Sequence, residues 1–269
     1  MVRDAGNRWA MRGAAKQSYA GPMGTISTNA RPTKAHLYKF NAFDAVAVAA
    51  YVGFTVYFTL AGESLRPLML HVFPDPATAA YAVNAVFYAV VGLFAIISAW
   101  RVVGRDFRIL GTRPWFTLGM VPLAIVVMLI LTAFLMAAFG SAQSSENQLG
   151  IQGLLQHVPA WLMVPLLVVL GPFVEEYLFR HLVIGKLSRH VNIWICCALS
   201  VFLFASIHVV GREGLVLSAL APYLGMGIIL VAVYVWTGKN LMFSYFVHAT
   251  KNLLAVILIY AVPAQLLPH

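Results

Sequence analysis

Acidic side chains are scarce in this sequence: nine Asp and Glu stand against 18 Lys and Arg, and charged residues of all kinds amount to 10%. A soluble domain carries about 25%, so an ordinary water-exposed globular surface is excluded. Cysteine is nearly absent as well. The two present, Cys196 and Cys197, are sequence neighbours, which excludes an unstrained mutual disulfide and the spaced thiolates of a cysteine metal site. Both read as small core residues. The net charge of +9 does not describe a nucleic-acid surface, because the lysines and arginines lie between apolar runs and form no stripe interleaved with aromatics. Lipid headgroups are their expected partners. The N-terminal stretch also lacks the apolar core of a signal peptide.

What is abundant is apolar surface: 61% of residues are hydrophobic, with a mean hydropathy of +0.83. Apolar runs occupy roughly 42–61, 77–100, 115–139, 159–187, 191–210, 214–237 and 240–264, and most reach the ~20 residues a helix needs to cross a bilayer core. The expected fold is an all-α, polytopic transmembrane helix bundle with about seven spans. Residues 1–40 form a basic tail with Asp4 as its one acid, expected to be poorly ordered and cytoplasmic. Residues 41–154 hold the first transmembrane helices, and 155–264 the functional core. The connection from Arg101 to Arg113 carries four arginines, while Gly140 to Pro159 carries no Lys or Arg. Basic loops stay on the cytoplasmic side, which assigns the tail, the 101–113 connection, Lys186, Arg189 and Lys239 inside.

Seven of the nine acids fall in the tail, in loops or at segment ends; Glu175 and Glu176 sit inside the run 159–187. A charge at membrane depth costs at least about 2.5–3.5 kcal/mol and marks a functional position by default. Glu176 and Arg180, four residues apart, share a helix face, whereas Glu175 lies about 100° round the helix and points elsewhere. One glutamate can then be anchored while the other works. Gly171 and Pro172 just before the pair predict a bend that lines a cavity open to the cytoplasmic side. The same spacing of four recurs in Phe204/His208 and in His248/Asn252. A carboxylate, two imidazoles and an amide gathered in a bundle interior supply a base for water and donors for an oxyanion. The same groups could ligate zinc through Glu175, His208 and His248, or serve the proton relay of a transporter. Phe204 reads as a packing residue that shapes the pocket. His181 is expected to pack or face headgroups, and Lys251 to snorkel or to meet an acidic substrate group.

"EEYLFR", "FASIH" and "HATKN" resemble, in order, the EExxxR, FxxxH and HxxxN motifs of the CAAX-protease and bacteriocin-processing (CPBP, also ABI) family, and the likeness spans residues 155 to 262. The resemblance implies an intramembrane endopeptidase of eight or so helices acting on a membrane-associated peptide or protein, in a bacterial plasma membrane. It implies that Glu175 and His208 activate water, that His248 and Asn252 hold the oxyanion, and that Glu176 and Arg180 support them. The motif residues provide base and donors without a metal, so no cofactor is expected, with zinc as the alternative. A transporter, or a non-catalytic scaffold or immunity protein of the same fold, is the competing reading.

Overall fold

Chain segments this apolar hide their backbone polar groups only by forming helices. In the computed structural model, which describes residues 37–141, 145–211 and 213–261, regular structure is helical throughout. The expected tail, residues 1–40, falls almost entirely outside these residues. The described helices are α1 (Ala42–Val72), α2 (Pro76–Asp106), α3 (Arg108–Thr112), α4 (Pro114–Phe139), α5 (Glu146–His157), α6 (Ala160–Arg189), α7 (Ile193–Val209), α8 (Leu217–Trp236) and α9 (Leu241–Ala261). Six stretches are long and apolar enough to cross a membrane, and α7 is a shorter apolar helix of 17 residues. This is the expected all-α polytopic bundle. Trp100, Trp115, Trp194 and Trp236 are exposed near helix ends on one side and Trp161 on the other, the placement that interfacial aromatics favour.

Polar side chains fix the two ends of the bundle. At one end Asn41 and Asp44 close a capping box on α1, each bonding the other's backbone N–H. Asp44 also accepts from Lys186 Nζ at 2.6 and 2.7 Å, from Ser98 Oγ and from Tyr177 Oη, joining α1, α2 and α6. Asp106 accepts from the Leu241 backbone N–H at 2.8 Å and so caps α9, while Arg105, Tyr38, Lys239 and Ser188 form a chain of contacts alongside. The basic residues of the 101–113 connection, the end of α6 and the turn before α9 therefore share one end. At the other end Ser145 bonds Tyr223, and the Glu146 N–H donates to Glu213.

Asp44, Asp106 and Lys186 were assignable from sequence only to span ends. All three are buried, and Lys186 is an ion-pair partner, not a headgroup contact. His181 is also fully buried, against the rings of Tyr38 and Tyr177, so of its two expected roles packing is the one it takes.

The central helix α6 is not uniform. Residues Pro165–Leu170 and Glu176–Lys186 are wound with i→i+5 bonds, and an α-helical turn, Gly171–Glu175, separates them. Pro165 and Pro172 lack the N–H that an α-helix would use, and wider turns accommodate the mismatch; such π turns concentrate at functional sites. The irregularity expected at Gly171 and Pro172 is thus spread along the helix. Helices α4 and α8 meet at Gly225, where an added Cβ would stand 2.8 Å from the Thr132 Cα. Only glycine permits that approach, and lipid-embedded helices gain their association energy from such close packing.

Candidate active site

The order of α and π turns in α6 sends its two glutamates to different neighbours. Glu176 is fully buried and engaged on every side: Ser244 Oγ donates to Oε2, His248 Nδ1 lies 2.9 Å from Oε1, and Arg180 Nε lies 3.2 Å from Oε2. The Arg180 contact is within ion-pair distance but lacks hydrogen-bond alignment, and the guanidinium carbon sits 4.4 Å from the Phe204 ring centroid. The arginine is therefore held by charge and by a cation–π contact. Removing one member of such a buried pair strands the other, at a cost of about 3–5 kcal/mol.

Glu175 faces a different set of groups. Tyr88 Oη, from α2, donates to Oε1 at 3.1 Å. His208 Nε2 lies 3.9 Å and His248 Nε2 3.7 Å from Oε2. The other nitrogen of each imidazole is occupied: His208 Nδ1 donates to the Phe204 carbonyl at 2.7 Å, and His248 Nδ1 donates to Glu176. Both Nε2 atoms are consequently turned to Glu175, at separations suited to one bridging water rather than to direct hydrogen bonds. The three helices α6, α7 and α9 thus bring Glu175, His208 and His248 together.

Phe204 frames this cluster, with its ring centroid 4.8 Å from that of His208 and 5.9 Å from that of His248, and it is fully buried. Tyr223 stacks on His208, with ring centroids 4.4 Å apart. Asn252 donates from Nδ2 to the Leu167 carbonyl at 2.9 Å; one of its two amide protons is committed to the π-wound stretch of α6, and one is left for a ligand.

Tyr88 and Tyr223 have no counterpart in the sequence reading. Aromatic residues are 13% of the chain, and two tyrosines in spans 87 and 48 residues from Glu175 carry no local signal. Lys251, three residues after His248, lines the same cavity.

The cavity measures about 810 Å³ and is lined by Glu175, His208, His248, Lys251, Asn252 and Pro172 at its inner end. From there it follows α1, α2, α5 and α9 to Arg66, Pro76, Gly150, Val210 and Gly211, all exposed. No residue of the 101–113 connection, of 186–190 or of 237–241 lines it. The expected opening toward the basic side is therefore overturned: Asp106, the Arg105–Tyr38 pair and the Asp44–Lys186 pair close that end, and the cavity runs to the opposite one.

The zinc alternative has fitting donor types in Glu175, His208 and His248; what differs is their spacing. Among the described residues no group of three or more His, Cys, Asp or Glu side chains is arranged to hold a metal ion. One Glu175 oxygen is taken by Tyr88, and the zinc–ligand distances of about 2.0–2.2 Å would require the imidazoles to close on the other.

Residues 157–254 match the family model described as type II CAAX prenyl endopeptidase, Rce1-like, so the match contains all three motifs and bears out the resemblance read from them. Two curated relatives are similar. The membrane-embedded CAAX protease MroQ of Staphylococcus aureus (strain USA300) is 28% identical over 150 residues, 54% of this chain and 57% of the relative. "Putative membrane peptidase YdiL" of Bacillus subtilis (strain 168) is 30% identical over 120 residues, 45% of this chain and 46% of the relative. The matched part of the chain spans about half the length of each of these relatives. No solved structure matches.

Proposed function

We propose, from the premise that residues 157–254 are Rce1-like, that this protein is an intramembrane endopeptidase that hydrolyses a peptide bond of a membrane-associated peptide or protein. The observation that carries the reading is the convergence of Glu175, His208 and His248 on one cavity, with both imidazole Nε2 atoms facing the Glu175 carboxylate.

In this reading the reacting water sits between Glu175 Oε2 and the two imidazoles. Glu175 takes a proton from it as the oxygen attacks the scissile carbonyl, and His208, fixed by its bond to the Phe204 carbonyl, shares the water. His248 enters the step with a proton on each ring nitrogen and keeps both: Nδ1–H donates to Glu176, and Nε2–H donates to the developing oxyanion. The uncommitted Asn252 amide proton is the second donor. Proton return from Glu175 to the leaving amine completes the cycle. Glu176, Ser244 and Arg180 act through His248 as positioning residues, and Tyr88 holds Glu175 in its rotamer.

The test compares membranes from cells producing the wild type or Glu175→Gln at equal protein level, with new peptide N-termini identified by mass spectrometry. Termini present only with the wild type are expected. An identical set from both proteins would sink the assignment.

A further inference from the structure

The basic end of the bundle and the mouth of the catalytic cavity lie on opposite sides. Arg101, Arg105, Arg108, Arg113, Lys186, Arg189 and Lys239 gather where α2 and α6 end and α9 begins. The cavity leads to the other end, where the described residues include Arg66, Asp75, Glu146 and Glu213. Lys and Arg near helix ends stay on the cytoplasmic side because carrying them across the bilayer is unfavourable, whereas acids contribute little to orientation. The two observations are independent, one resting on charge along the chain and the other on the shape of the folded bundle.

From them we infer that the active-site cavity opens on the non-cytoplasmic side of the membrane, and that its substrate is a peptide segment already translocated to that side or embedded in its leaflet. The inference rests on the peptidase reading only for the word substrate; the orientation of the cavity stands apart from it. The structure gives reasons why access should come from there. Behind Glu175 and His248, toward the basic end, stand the Glu176–Arg180 pair, Phe204 and the Asp44–Lys186 network, all buried. On the open side the wall is helix α5, whose Asn147, Gln148 and Gly150 present polar or small surface to the cavity. A peptide backbone needs hydrogen-bonding partners when it leaves water, and the amide side chains of Asn84 on α2 and Gln148 on α5 line the way.

Cysteine accessibility tests the inference without any activity. The native Cys196 and Cys197 are buried and provide the unlabelled background. Val210→Cys places a thiol at the cavity mouth, Asn84→Cys places one on its wall about 12 Å along α2 from Pro76, and Phe107→Cys places one at the basic end. Each is treated with a membrane-impermeant maleimide in intact cells and in inverted vesicles. Val210→Cys and Asn84→Cys are expected to label in intact cells, and Phe107→Cys only after inversion. The reverse pattern, or failure of Val210→Cys and Asn84→Cys to label from the outside while they label after denaturation, overturns the inference. If the labelling holds but no peptide termini depend on Glu175, the peptidase reading fails and the orientation of the cavity survives.

Discussion

His248 stands between the two glutamates: its Nδ1 lies 2.9 Å from Glu176 Oε1, and its Nε2, across the same ring, lies 3.7 Å from Glu175 Oε2. One imidazole therefore connects a carboxylate buried among three partners with a carboxylate that faces a cavity. Adjacent acids at membrane depth are tolerable on these terms, because Glu176 has three partners and Glu175 keeps contact with Tyr88 and the cavity.

Glu176→Gln keeps the shape but exchanges the carboxylate that accepts from His248 Nδ1–H for a neutral amide. Cleavage is expected to fall about 10²-fold or more, the usual worth of a positioned acid or base, with the loss in kcat rather than KM. A change confined to KM would place Glu176 in substrate binding instead.

Glu175→Gln and Tyr88→Phe separate the working carboxylate from the group that holds it. The first is expected to cost about 10²–10⁴-fold. The second removes a single hydrogen bond to a charged group, about 1.5–3 kcal/mol, or roughly 10–150-fold. Turnover by purified protein in proteoliposomes measures both, and a Tyr88→Phe loss as large as that of Glu175→Gln would contradict a supporting role.

Much of the site was legible from spacing alone, and the physics explains which part. Pairs at i and i+4 share a helix face whatever the fold, so Glu176/Arg180 and the single positions Glu175, His208 and His248 could be picked out as polar groups that lipid would not tolerate. Asn252 was legible as a candidate, though not its bond to the Leu167 carbonyl, since that depends on α6 being π-wound. Tyr88 and Tyr223 were invisible because tyrosine is unremarkable in a membrane helix and their partners are distant in sequence. Asp44, Asp106 and Lys186 were read as end residues since hydropathy gives depth along a span but not which neighbour covers it. The side on which the cavity opens was misjudged for the same reason: a bend at Pro172 predicts irregular backbone, whereas the packing of the other helices decides which end is closed.

The Asp44–Lys186 pair yields a prediction about stability. Asp44→Asn or Lys186→Met alone leaves one buried charge unmatched, at an expected cost of about 3–5 kcal/mol. The double variant removes both charges and should recover much of that loss, since replacing both partners of a buried pair is often near neutral. Thermal unfolding in detergent reads the difference. Equal Tm losses for the single and double variants would show that the other Asp44 partners, Ser98, Tyr177 and the α1 cap, are what stabilise this end.

Gly225 tests whether the α4–α8 crossing supports the catalytic helices. An added Cβ would meet Thr132 Oγ1 at 2.5 Å and its Cα at 2.8 Å, and because the second contact is backbone, side-chain rotation cannot relieve it. The helices must separate, and a poorly accommodated extra group in a packed core costs about 1–3 kcal/mol. Gly225→Ala is expected to lower Tm, and Gly225→Val to lower it further. Gly119, also helical but with nothing within 4 Å of an added Cβ, is the control: Gly119→Ala should leave Tm unchanged or raise it, since alanine is the better helix former. Activity should follow stability at Gly225, because α8 carries Tyr223, which stacks on His208. A Gly225→Ala protein with wild-type Tm would show that α4 and α8 do not approach this closely in the bilayer.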